Sequence, residues 1–134
     1  MFLLDTDTVV YGLNGDPNVV NRMERHLDAP KAISAITYGE LFYGATKSSR
    51  PIQNLAKVRQ LRDILPIYQV TAAIMETFGT LKSELEERGQ RLDDFDLVIA
   101  ATALNLSYTL VTNNERHFSR VTNLSIENWT RGDP

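Results

Sequence analysis

Short apolar runs that end abruptly in polar residues alternate along this chain with longer stretches of helical periodicity, and that alternation limits the fold more than any other feature. Phe2-Leu3-Leu4 stops at Asp5-Thr6-Asp7, which reads as a buried strand running into a helix N-terminus. That helix starts near Thr8 in this reading and falters at Asn14-Gly15-Asp16-Pro17, a strong turn signal. Residues 19–27 give a second helical stretch that leads to Ala32-Ile33-Ser34-Ala35, a short strand, and residues 36–46 read as helix again. Leu55, Val58, Leu61 and Leu65 form one helical stripe, with Lys57, Arg59 and Arg62 toward solvent. Pro66 ends that helix and residues 67–70 make a short strand. The longest helical pattern covers residues 71–88, with Thr71 as its N-cap and Gly89 as its stop. Asp93-Asp94 open a further helix over 97–106, whose Leu-Val-Ile-Ala-Ala run calls for burial on most sides. Residues 108–112 read as a strand ending at Asn113-Asn114, and 124–129 as a last strand before a polar tail. Strands separated by helices imply a mainly parallel central sheet covered on both faces. The expected fold is α/β, layered as an α/β/α sandwich.

A chain of 134 residues suits one domain over 1–134, and 43% hydrophobic with 23% charged residues excludes disorder. No apolar run is long enough to span a membrane, and Met1-Phe2-Leu3-Leu4-Asp5 meets a charge too early for a signal peptide. The chain has no Cys, so disulfides and thiolate metal sites are excluded and a reducing cytoplasm fits. A net charge of -3 argues against gripping nucleic acid with the whole surface. It leaves room for a local basic face, and Lys47, Arg50, Lys57, Arg59 and Arg62 stand in a stretch without a single acid.

Open parallel sheets bind ligands beyond the carboxyl ends of their strands, so polar residues that directly follow apolar strands are the ones to inspect. Here these are Asp5 and Asp7, Glu40, the group Asp93, Asp94 and Asp96, and Asn113-Asn114. Oxygen ligands of this kind suit a hard cation such as Mg²⁺. Plainer roles compete. Asp7 fits a helix cap, Thr37-x-x-Glu40 fits a capping box, and one of Asp93 and Asp94 fits a cap as well. Asp5 at a strand end and Asp96 beside Leu97-Val98-Ile99 are the stronger site candidates. His26 and His117 lack zinc spacing and read as surface residues, and Tyr38, Phe42 and Tyr43 read as packing.

The ordered set Leu3-Leu4-Asp5-Thr6-Asp7, Ser34-Ala35-Ile36-Thr37-Tyr38-Gly39-Glu40, Leu92-Asp93-Asp94-Phe95-Asp96-Leu97 and Leu110-Val111-Thr112-Asn113-Asn114, closed by Leu124 to Trp129, resembles PIN-domain ribonucleases. The likeness is to the VapC toxins of toxin–antitoxin pairs. The resemblance implies that Asp5, Glu40 and Asp96 are catalytic metal-binding acids, with Asn114 where many relatives carry a fourth acid. It also puts Asp7 where most carry Asn and His117 where acids are frequent. It implies Mg²⁺, with Mn²⁺ as a substitute, hydrolysis of RNA phosphodiesters (tRNA among them), a VapB-type antitoxin and a homodimer. Lys47 to Arg62 becomes a rim for the RNA backbone. Two rival readings remain. Leu4-Asp5-Thr6-Asp7-Thr8-Val9 also fits the first motif of haloacid dehalogenase-like phosphatases, with Asp5 as nucleophile. That chemistry needs a Lys near a later strand, and none follows Lys82. The other rival is a non-catalytic binding domain whose acids only cap helices.

Overall fold

The computed structural model describes residues 1–132. Strands β1 (Phe2–Leu4), β2 (Lys31–Ser34), β3 (Ile67–Tyr68), β4 (Thr109–Val111) and β5 (Ile126–Glu127) form one sheet in the order β3-β2-β1-β4-β5. Each neighbouring pair is parallel, with Phe2 opposite Lys31 on one side and Leu4 opposite Val111 on the other. Between them run helices α1 (Thr6–Leu13), α2 (Pro17–Arg25), α3 (Ala35–Thr46), α4 (Pro51–Ile64), α5 (Ala72–Glu87), α6 (Asp94–Leu106) and α7 (Glu115–Phe118).

Side-chain alternation along each strand sorts the core into two layers. Leu3, Ala32 and Leu110 face Leu81 and Leu85 of α5 and the buried run Leu97 to Ala101 of α6. Phe2, Leu4, Ile33 and Val111 face Val9, Val19, Leu41, Val58 and Leu61 of α1 to α4. A central strand buried on both faces has to be apolar throughout, which is why Phe2-Leu3-Leu4 shows no polar alternation. The chain steps outward from β1 to β2 and β3, then returns to the far side of β1 to lay down β4 and β5. Strand order therefore reverses between β1 and β4, and the crevice beyond their carboxyl ends is the natural ligand position. Among the described residues, no helix is long and apolar enough to cross a membrane.

Several local details differ from the sequence reading. Helix α1 begins at Thr6 because Asp5, not Asp7, is its N-cap and accepts the Thr6 N–H. Helix α3 begins at Ala35 with Ser34 as the cap, so Thr37 lies inside the helix and no capping box with Glu40 forms. Asp93 occupies the N-cap position of α6 without a side-chain capping bond. Trp129 leaves the β5 ladder and is fully buried, edge-on to Phe2 at 5.1 Å and stacked on His26 at 5.4 Å, so His26 is a packing residue. Tyr43 is 62% exposed, with Lys47 Nζ 4.7 Å from its ring centre, while Tyr38 and Phe42 pack against the core as expected. Helix α7 had no periodic signal, and the fully buried Phe118 anchors it.

Candidate active site

Asp5 leaves β1 at the crevice and Thr112 leaves β4 beside it, with the Asp5 N–H donating to the Val111 carbonyl at 2.9 Å. The Asp5 side chain is only 6% exposed. Its Oδ1 accepts the Thr6 N–H at 2.9 Å and its Oδ2 accepts the Thr112 hydroxyl at 2.7 Å. Both bonds favour the ionised carboxylate, but burial outweighs them. Desolvation, then the charge of Asp7 and more weakly that of Asp96, pushes the Asp5 carboxyl up to about 7.

Glu40 comes from α3, which is launched from the end of β2, and its Oε1 accepts the Thr6 hydroxyl at 2.7 Å. Asp96 sits half-buried in the first turn of α6. Burial raises its pKa first, followed by Asp93 and Glu40, while His117 opposes them. Asp7 does not cap α1. Its Oδ2 accepts the Asn113 N–H at 3.1 Å, and burial raises its pKa, with a small contribution from Glu40. Residues 5, 7, 40 and 96 thus come from three separate stretches of chain and feel one another's charge.

The side chains approach one another without closing on a point. Among the described residues, no three His, Asp or Glu side chains have the spacing to hold an ion as they stand. The donor set nevertheless fits a hard divalent cation: oxygen donors only, partly buried, and repelling one another in a way that a cation relieves.

The remaining candidates divide. Asn114 stands at the N-cap of α7 without a side-chain capping bond, and its N–H donates to the Thr112 hydroxyl at 2.9 Å. Asn113 is tied elsewhere, its Oδ1 accepting the Thr130 hydroxyl at 2.9 Å. His117 is exposed on α7, within electrostatic reach of Asp96. In the basic run, Lys57 lines a groove of about 260 Å³ whose walls include Thr6 and Glu40. Arg59 lies over the Phe42 ring at 5.5 Å, as Lys47 does over Tyr43, and Arg50 and Arg62 are exposed. Sequence reasoning missed Thr6 and Thr112, whose hydroxyls hold two of the acids. The available signal was a Thr directly after the last strand residue, or one place beyond it, at the two strands that flank the reversal.

The sequence pattern of the PIN domain matches residues 2–124. Over 133 residues the chain is 37% identical to Ribonuclease VapC2 of Rickettsia felis, covering 98% of this chain and 99% of that protein. The chain belongs to the PIN-domain family, among the VapC ribonucleases. Another relative, the tRNA(fMet)-specific endonuclease VapC of Salmonella typhimurium, is 35% identical over 130 residues, covering 96% of this chain and 97% of that protein. The crystal structure of VapBC2 from Rickettsia felis bound to a DNA fragment from their promoter matches this PIN domain with a TM-score of 0.89 at 37% identity. That match covers 96% of this chain and 98% of that one, and bears out the expected α/β/α sandwich. This PIN domain is a nuclease of a family that works with divalent metal. The phosphatase and the non-catalytic readings are set aside with it, and Lys82 is paired with Asp94 at 2.9 Å.

Proposed function

We propose that this PIN domain is the toxin of a toxin–antitoxin pair, a Mg²⁺-dependent endoribonuclease in which Asp5, Glu40 and Asp96 hold the ion. The observation that carries the reading is the buried carboxylate of Asp5 at the strand-order reversal, 6% exposed, with Asp7 and Asp96 near enough for their charges to act on it and Glu40 tied to the adjoining Thr6. A site of this kind is poised for a cation. Bound there, a divalent ion supplies positive charge to a phosphate oxygen and acidifies an attacking water. Asp5 and Asp96 supply the buried side of the ligand set. Glu40, held by one oxygen, keeps the other available to ligate or to orient that water. Asn114 adds a neutral oxygen where a fourth ligand would stand, and Mn²⁺ suits the same donors.

Lys57 brings positive charge to the groove beside Glu40 and, with Lys47, Arg50, Arg59 and Arg62, forms a rim for the RNA backbone. A tRNA is the first substrate to try, because the Salmonella relative is named for one. The partner is a VapB-type antitoxin, since the matched Rickettsia structure is of VapBC2. An apolar groove of about 470 Å³ between α1, α2 and α4, walled by Leu13, Val20, Met23, Leu27 and Ile64, offers that partner an apolar seat. The toxin pairs with a second copy of itself and works in the cytoplasm, which the lack of Cys suits. Incubation with total RNA in Mg²⁺ or in EDTA, followed by mapping of the cut ends, tests the activity. Defined cuts that need Mg²⁺ are expected, and equal cleavage in EDTA contradicts the reading.

A further inference from the structure

Thr6 is hydrogen-bonded to two of the proposed acids at once. Its backbone N–H donates to Asp5 Oδ1 at 2.9 Å, and its hydroxyl donates to Glu40 Oε1 at 2.7 Å, across a sequence separation of 34 residues. A threonine hydroxyl has one hydrogen and two lone pairs. With that hydrogen committed to the carboxylate, the Thr37 hydroxyl, 3.2 Å away and fully buried, must be the donor toward Thr6. The three groups form a chain: Thr37 hydroxyl to Thr6 hydroxyl to Glu40 carboxylate. Thr6 is the first residue of α1, and its β-branched side chain has few rotamers to choose from, of which the bonds to Glu40 and Thr37 select one. Thr37 is similarly restrained inside α3.

We infer that Thr6, backed by Thr37, is a positioning residue that sets Glu40 against Asp5 so that the two carboxylates can share a divalent ion. Three features support this. Thr6 sits next to Asp5 in the chain, so any movement of its hydroxyl moves Glu40 relative to Asp5. The bond ties α1 to α3, two helices launched from the neighbouring strands β1 and β2. The Thr6 hydroxyl occupies one oxygen of Glu40 only, and both residues line the open groove that also contains Lys57. Thr112 holds Oδ2 of Asp5 in the same manner from β4, so each of the two acids has its own hydroxyl donor. Among the described residues, Thr6 alone is hydrogen-bonded to both.

The inference rests on Glu40 being an ion ligand, and the experiment separates the two claims. Thr6→Val, Thr6→Ser, Glu40→Gln and the double variant Thr6→Val/Glu40→Gln are compared by calorimetric titration with Mn²⁺, by RNA cleavage and by thermal melting without metal. Losing a hydrogen bond to a charged group should weaken Mn²⁺ binding and lower kcat by about tenfold or more in Thr6→Val. Thr6→Ser should restore both, because it returns the hydroxyl. In the Glu40→Gln background Thr6→Val should change Mn²⁺ affinity little, since the group it positions is already impaired. If Thr6→Val fails to fold by melting, Thr37→Val, which breaks the chain one link earlier, replaces it in the same comparison. Wild-type Mn²⁺ affinity in the Val variant, no rescue by Ser, or an undiminished loss in the Glu40→Gln background overturns the role of Thr6 and leaves Glu40 as a ligand. Unchanged Mn²⁺ affinity in Glu40→Gln alone overturns both claims.

Discussion

Asp5 combines two properties that conflict in a metal-free protein: it is 6% exposed, and the charges acting on it are those of other carboxylates. Its pKa in the fold is about 7 against 3.8 for the free side chain, so folding favours the protonated form. The stability this group contributes is therefore complete below about pH 4 and is lost as pH rises through 7, by roughly 4 kcal/mol at most. In EDTA, the wild type should melt at a lower Tm at pH 8 than at pH 5, and Asp5→Asn should shrink that difference and melt higher at pH 8, the remainder coming from Asp7 and Asp96, whose carboxyls burial also raises. Adding Mg²⁺ at pH 8 should raise the wild-type Tm and leave Asp5→Asn unchanged. A wild type with the same pH slope as Asp5→Asn contradicts this. Asp7 has a different fate. Asn at this position can still accept the Asn113 N–H, and it removes the second-largest cause of the Asp5 shift. Asp7→Asn should keep RNA cleavage while an NMR titration shows Asp5 ionising at lower pH. Loss of cleavage with an unchanged Asp5 titration counts against it. At this scale, which residues carry acids at strand ends was legible in the sequence. Which acid caps a helix was not, because Asp5 and Asp7 differ by two residues and only the start of α1 separates their roles.

At the scale of elements, what could be read depended on how local the signal was. Helix α5 is an example in which every cue is local: the Thr71 hydroxyl accepts the Ile74 N–H, and Gly89 takes a φ of 65°. The N–H groups of Gly89 and Gln90 then close back on the carbonyls of Glu86 and Leu85. The continuous apolar run in α6 likewise foretold burial, and residues 97 to 103 are all buried. Helix α3 misled because Ser34 and Thr37 can both cap, and the last residue of β2, Ser34, is the one that accepts the Ile36 N–H. That choice of cap frees Glu40 for the crevice. The short strands β3 and β5 are decided by pairing with a neighbour, which no window of sequence contains. Ser107 ends α6 in the left-handed region at φ 55°, where a side chain costs energy. Ser107→Gly should stabilise the protein by about 0.5–1 kcal/mol in urea unfolding, with RNA cleavage unchanged. A destabilised Ser107→Gly shows that the serine side chain does more there than terminate the helix.

For the molecule as a whole, the strand order β3-β2-β1-β4-β5 is the decisive fact, since it brings chain positions 5, 40 and 96 to one crevice. Alternation of strands and helices announced a parallel sheet, but the return of the chain to the far side of β1 carries no local signature, and only the pairing of β1 with both β2 and β4 reveals it. The net charge of -3 limits RNA binding to a local face, so affinity should depend on a few cations. Lys57→Ala should weaken RNA binding and flatten its salt dependence, measured by filter binding across a salt series, while leaving Mn²⁺ affinity intact. An unaltered salt slope moves the RNA path away from α4. The most direct test of the whole proposal is an anomalous diffraction map from crystals soaked in Mn²⁺. A shared ion places one strong peak within about 2.5 Å of carboxylate oxygens from Asp5, Glu40 and Asp96. A crevice without a peak at saturating Mn²⁺, or a peak bound by other residues, contradicts it.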